Sequence, residues 1–179
     1  MTFRDKLRVT RRLLLAVLWT LPFCVARFVD MLLGLASRRL ENAVRRYGFR
    51  FWGWGLAWIF GWRITIEGPR PKDPFFLVTN HFTYFDVLII VRTLGCAFIS
   101  RADVADWPFF GLMGRAMNTI FVDRERMREV VRVNKEIHAN LERGISQHVF
   151  AESRIYHDGY VHPFKTAFLL PPIELGLPV

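Results

Sequence analysis

Phe75-Phe76-Leu77-Val78-Thr79-Asn80-His81-Phe82-Thr83-Tyr84-Phe85-Asp86-Val87-Leu88-Ile89-Ile90 is the stretch whose reading decides the fold. Phe75 to Thr79 reads as a short buried strand, and Asp86 to Ile90 continues as an apolar segment that fits a helix body. His81 and Asp86 lie five positions apart between them. On one continuous helix that step turns about 140°, so the two side chains would diverge. They meet only if His81 leaves a strand end while Asp86 sits at a helix start, where the macrodipole favours a carboxylate. A strand, a short loop and a helix with polar residues at the strand's exit is the arrangement in which open α/β sheets bind ligands.

The chemistry fits these residue types. A histidine with an ordinary pKa of about 6.5 is partly neutral near pH 7 and accepts a hydroxyl proton. A carboxylate on its other ring nitrogen fixes the tautomer and stabilises the imidazolium that forms. A His and an Asp this close also occur by chance, so the pair alone leaves a purely structural role open.

Outward from this stretch, Arg63-Ile64-Thr65-Ile66-Glu67 alternates with period two and reads as another strand, closed by Gly68-Pro69. Downstream, Met127, Val130, Val131, Asn134, Ile137, His138 and Leu141 form an i, i+3, i+4, i+7 stripe, predicting an amphipathic helix that ends near Gly144. His138 falls on its inner face as a packing residue. Strands alternating with helices predict an α/β fold, a mixed central sheet flanked by helices.

The chain has 179 residues, enough for one buried core and short for two independent domains. With 52% hydrophobic and 15% aromatic residues it is not a disordered chain. The net charge of +9 favours anionic partners such as acidic lipid or an acidic carrier protein. Nucleic acid is the rival partner, but no zinc-finger spacing, aromatic RNA-binding block or recognition helix is present. Cys24 and Cys96 lie in apolar surroundings without metal spacing, and the five histidines include no HExxH, so neither a metal nor a cofactor is expected.

Leu13 to Ala26 is an uninterrupted weakly polar stretch of fourteen residues, and Phe28 to Ala36 resumes it. About 20 apolar residues are needed to span a bilayer. Arginines and a lysine precede this stretch, and Arg38, Arg39, Arg45, Arg46 and Arg50 follow it. The positive-inside preference then keeps both ends on the cytoplasmic side, which a half-buried or re-entrant helical hairpin satisfies. A signal peptide competes, but no small-residue cleavage site follows. Trp54, Trp58 and Trp62 recur every fourth residue, as an indole face at the head-group boundary or as an aromatic core stripe. Residues 1–62 are thus expected to be membrane-associating helices and residues 63–179 the catalytic core.

Three further blocks follow the His81 to Asp86 run. They are Asp106-Trp107-Pro108-Phe109-Phe110-Gly111 leading to Thr119-Ile120-Phe121-Val122-Asp123-Arg124, then Val149-Phe150-Ala151-Glu152-Ser153-Arg154, then Val161-His162-Pro163-Phe164-Lys165. In this order and at these separations the set, from about Thr65 onward, resembles the glycerolipid acyltransferase family, whose best-known members acylate lysophosphatidic acid. The resemblance implies that His81 deprotonates the acceptor hydroxyl, Asp86 orients it, and the hydroxyl attacks the thioester of acyl-CoA or acyl carrier protein without an acyl-enzyme. It places Arg124 at the acceptor's phosphate or head group, a task suited to a forked guanidinium. Glu152 falls on the family's acidic position, where it meets a substrate hydroxyl or holds an arginine. Ser153 and Pro178 are carried over with their blocks as substrate-binding positions.

Departures accompany the matches. Ser153 and Asn118 stand where the family usually has glycine, Ala151 replaces a proline, and Arg154 follows the glutamate by two residues instead of three. After Lys165 the family usually has a helical stretch and then a Gly-x-Pro strand. Here Pro171-Pro172 interrupts the helical pattern, and Gly176-Leu177-Pro178-Val179 matches only the start of the last block. The resemblance therefore implies a core incomplete at its C-terminus, with weak or no activity unless a partner chain supplies the missing surface. The resulting expectation is a membrane-associated O-acyltransferase at the cytoplasmic face, the inner membrane of a bacterium, acting on a lysophospholipid such as 1-acylglycerol-3-phosphate. A non-catalytic lipid-binding protein on the same fold is the alternative. A serine hydrolase or thioesterase is disfavoured because no Gly-x-Ser-x-Gly elbow is present.

Overall fold

The computed structural model describes residues 2–72, 74–107, 110–123 and 126–179, and the side chains of all of these except 24, 25, 27–36, 38, 39 and 127. Phe75 to Ile90 folds as its pattern requires: strand β1 spans Phe76–Thr79 and helix α3 spans Phe85–Thr93, following in sequence the helices α1 (Phe3–Ala36) and α2 (Arg38–Phe60). The chain divides into two compact units, Met1–Gly68 with Leu88–Gly95, and Pro69–Val87 with Cys96–Val179. Leu88–Gly95, which holds most of α3, groups with the N-terminal helices.

In the second unit β1 is joined by β2 (Ala97–Arg101), β3 (Ile120–Val122) and β4 (Gln147–Phe150) in the order β1-β4-β2-β3. The sheet expected to be mixed is parallel in all three pairings. Arg63–Glu67, expected as a strand, forms no ladder among the described residues. Alternation marks a segment suited to a sheet, but only a neighbour that takes its backbone hydrogen bonds makes it a strand. Helix α4 spans Phe110–Ala116, and one sheet face, with Phe76, Ile99, Ile120, Val122 and Val149, packs on Val133, Ile137 and Leu141 of α5 (Met127–Glu142). Burying three such side chains contributes on the order of 1.5–3 kcal/mol each.

The α5 helix lies where its periodicity places it, but its inner face is turned from the expected stripe. Val133 is fully buried, whereas Val131 is 60% exposed. His138 is not an inner packing residue: it is partly exposed and lies 3.3 Å from Glu142, one turn on. Pro171 and Pro172 do not break a helix; they fall in the first turn of α6 (Leu170–Glu174), where no backbone donor is needed, and both are buried.

In the first unit α1 and α2 form a hairpin through Ser37, whose hydroxyl caps α2 by accepting from the Leu40 N–H. Trp19 Nε1 donates to the Trp52 carbonyl and Trp52 Nε1 to Thr20 Oγ1, both at 3.0 Å, so each indole that enters the interface brings its own acceptor. Trp52 and Leu56 form the buried face of α2, while Trp54 and Trp58 point outward, Trp58 with 74% exposure. Trp62 lies beyond the helix, which Gly61 ends in the left-handed conformation. Leu13, Leu14, Val17, Leu18 and Leu21 of α1 are exposed. Among the described residues, no helix is long and apolar enough to cross a membrane. Cys96 is a buried free thiol, and burial pushes its pKa up to about 12; the side chain of Cys24 lies outside the described residues.

Candidate active site

Four parallel strands end at the same edge of the sheet; the first block follows β1, the second spans the exits of β2 and β3, the third follows β4, and the fourth is tied to the third through the His162 N–H on Glu152. His81 follows β1, Ala102–Asp106 forms a 3-10 helix directly after β2, Asp123 follows β3, and Glu152 follows β4. Blocks separated by tens of residues therefore converge because of topology.

The loop-to-helix junction brings His81 Nδ1 to 2.9 Å from Asp86 Oδ2. The same oxygen accepts the backbone N–H groups of Phe82 and Thr83, at 2.7 and 2.8 Å, and Oδ1 accepts the Thr83 hydroxyl at 3.2 Å. Thr83 Oγ1 in turn accepts the Phe85 N–H at the start of α3. Burial pushes the Asp86 carboxyl pKa up, but the Thr83 and Phe82 amides and the His81 ring outweigh it and hold the pKa below the usual range. Asp86 is therefore a fixed anion, and it demands a proton on His81 Nδ1. His81 Nε2 is left as the basic nitrogen and has no hydrogen-bond partner among the described residues.

Two further contacts hold the histidine. Its ring stacks on Phe150, with centroids 3.7 Å apart and planes 14° from parallel. Its backbone N–H donates to Glu152 Oε2 at 2.8 Å. Glu152 was expected to meet a substrate hydroxyl or an arginine; instead it is 5% exposed and braces two loops, because Oε1 accepts the His162 N–H, also at 2.8 Å. Charge-assisted bonds of this kind are about twice as strong as neutral ones.

Ser153 and Asn118, at the positions where glycine was expected, take the left-handed backbone with φ of 67° and 60°. The turn that glycine would supply is made with a side chain attached, at a cost of roughly 1–2 kcal/mol. Arg124 lies outside the described residues; β3, which leads to it, ends at Val122. Pro178 is not brought to the dyad: its carbonyl accepts the Phe76 N–H at 3.2 Å, at the beginning of β1, whereas His81 follows its end. Phe76 and His81 are five residues apart, and the β1 strand from Phe76 to Thr79 alone spans about 10 Å of that.

The structure gives contacts to two histidines to which the sequence assigned no role. His148 is fully buried on the same sheet face as Phe150, with Nε2 at 2.9 Å from Thr79 Oγ1 and its ring edge-on to Phe150. Burial, and then the charge of His81, pushes its pKa down to about 3, against the opposing pull of Asp86. Its place two residues before Phe150 was the available signal, since alternate strand residues share a face. His162 stacks on Tyr156 and pairs with Asp158 at 2.8 Å. Phe82, Tyr84, Phe85, Trp107 and Phe110 are all exposed in the same unit, so it carries a large apolar surface.

Similar proteins carry related descriptions. A lyso-ornithine lipid O-acyltransferase of Brucella abortus (strain 2308) is 33% identical over 130 residues, which cover 72% of this chain and 49% of that protein. A 1-acyl-sn-glycerol-3-phosphate acyltransferase of Neisseria gonorrhoeae is 27% identical over 118 residues, 65% of this chain and 46% of that protein. The chain thus spans about half the length of the curated relatives it matches. The crystal structure of the 1-acyl-sn-glycerophosphate (LPA) acyltransferase PlsC from Thermotoga maritima shares the fold, with a TM-score of 0.65 and 20% identity over 95% of this chain and 72% of that one. Residues 63–179 match the family model described as Acyltransferase, and the chain belongs to the acyltransferase family.

Proposed function

We propose that this protein transfers a fatty acyl group from a thioester, acyl-CoA or acyl carrier protein, to the hydroxyl of a lysolipid at a membrane surface. The observation that carries the reading is the His81–Asp86 contact of 2.9 Å at the strand edge, with Nε2 left as the base. The acceptor O–H gives its proton to His81 Nε2 as its oxygen forms a bond to the thioester carbonyl carbon. The tetrahedral intermediate then collapses, the C–S bond breaks, and the imidazolium returns the proton to the departing thiolate. Asp86 stays ionised throughout and stabilises the imidazolium. No acyl-enzyme is needed, and no metal or cofactor enters these steps.

The exposed aromatic residues of the catalytic unit and the exposed apolar face of α1 support a lipid acceptor and attachment at the cytoplasmic face of a membrane, by apolar burial plus the basic balance of +9. Arg124 is proposed to take the acceptor's anionic group. The first acceptor to test is 1-acylglycerol-3-phosphate. Lyso-ornithine lipid is a second reading, favoured by the 33% identity to the Brucella protein of that description. Radiolabelled acyl transfer by purified protein over both acceptors, with each thioester donor, tests the proposal. Transfer by wild type and none by His81→Ala is the expected result. Equal transfer by both would overturn it.

A further inference from the structure

The helical unit holds a groove of about 370 Å³ that the acyl-transfer chemistry does not use, lined by Tyr47, Arg50, Phe51 and Trp54 of α2 and Arg92 of α3. Two arginines line it and no carboxylate does. Two glycines let the stems of these arginines pack closely at the groove. A Cβ on Gly53 would stand 2.9 Å from the Arg92 Cα, and one on Gly95 would stand 2.9 Å from the Arg50 Cγ and 2.7 Å from the Arg46 carbonyl. Each arginine stem is thus packed against a residue that has no side chain. Arg50 lies 5.7 Å from the Tyr47 ring centroid, in cation–π range. Arg92 has no hydrogen bond or ion pair among the described residues. Phe51 and Trp54 are stacked at 5.8 Å with both rings about half exposed.

We propose that this groove binds the phosphodiester of an anionic bilayer phospholipid that is held and not acylated. Paired guanidiniums fork onto phosphate oxygens, and the half-exposed indole and phenol suit the head-group level. The exposed leucines and valine of α1 provide the apolar surface that acyl chains require. The inference rests on the membrane attachment proposed above and adds a specific, countable lipid to it.

The test uses the full chain and vesicles of phosphatidylcholine, alone or mixed with phosphatidylglycerol, read by co-flotation. Native mass spectrometry in detergent then counts bound phosphatidylglycerol. Wild type is expected to bind the mixed vesicles about tenfold more tightly, corresponding to about 1.4 kcal/mol, and to carry one phosphatidylglycerol per chain. The double variant Arg50→Lys/Arg92→Lys keeps the charge and loses the fork. It is expected to lose the bound lipid while still binding neutral vesicles and keeping the preference that its unchanged net charge gives, with an unchanged helical circular dichroism spectrum. Retention of the lipid by that variant would overturn the groove and leave membrane attachment standing. Absence of wild-type binding to any vesicle would overturn both. Coenzyme A displacing the lipid from wild type would also overturn it, because the groove would then serve the donor.

Discussion

His148 should make the catalytic unit labile in mild acid. In the folded chain its imidazole is fully buried and has a pKa of about 3, whereas in the unfolded chain it titrates near 6.5. The folded pKa is the lower one, so the unfolded chain binds a proton first as pH falls. The stability is complete above about pH 6.5, declines through the interval down to about pH 3, and is fully lost below it. Between pH 7.5 and pH 5 these two values imply a loss of about 2 kcal/mol from this one residue. His148→Phe removes the titration while keeping a planar ring beside Phe98 and Phe150, and His148→Asn removes it with a polar side chain. Chemical denaturation in detergent at the two pH values measures the effect as a difference of differences, in which every other titrating group cancels. Wild type should lose about 2 kcal/mol more than either variant. Equal losses in all three proteins would show that His148 is not held neutral and would refute the reasoning.

Asp86→Asn should lower kcat by up to about four orders of magnitude with the fold intact, because a neutral amide no longer dictates the tautomer; steady-state kinetics checks it. Glu152→Gln replaces one of two backbone-bound oxygens by a donor, and should cost about 2 kcal/mol of stability and lower kcat more than it raises KM. Unchanged kcat with a lowered Tm would mean that the brace does not reach the base. Ser153→Gly relieves the positive φ and should raise stability by about 1 kcal/mol, read from denaturation midpoints at constant slope. Arg124→Ala should raise the KM for 1-acylglycerol-3-phosphate, with Arg124→Lys restoring it only in part, and an unchanged KM removes Arg124 from the site.

The elements written in local pattern were legible, and those written in tertiary context were not. Phe75 to Ile90 carried its strand and helix in its own apolar sequence, and the five-residue spacing of His81 and Asp86 allowed only a junction. The helix of residues 127–142 was equally plain, yet its inner face was misplaced. Val131 and Val133 are chemically alike, and only the sheet decides that Val133 is covered. Arg63–Glu67 shows the converse, since its alternation is sound and no described strand pairs with it. Glu152 was found as a residue and misread as a contact, because sequence reports that a carboxylate is present and never what its lone pairs accept.

That misreading bears on how the four blocks work. A block that carries a glutamate looks like one more hand reaching for substrate. Here the glutamate reaches the backbone of His81, and the phenylalanine two residues before it lies flat against the His81 ring. His81, the proposed base, is therefore fixed three ways: at Nδ1 by Asp86, across its face by Phe150, and through its main chain by Glu152. Two of the three constraints come from the exit of β4, seventy residues away in sequence and adjacent in the parallel sheet. Proton transfer depends on where Nε2 points, and an error of about 1 Å can cost on the order of a hundredfold in rate. A histidine on a loop cannot be held that closely by one partner. On the proposed mechanism the third block then holds the base as much as the first does, and the spacing between them is set by the β4 strand that carries it back beside β1.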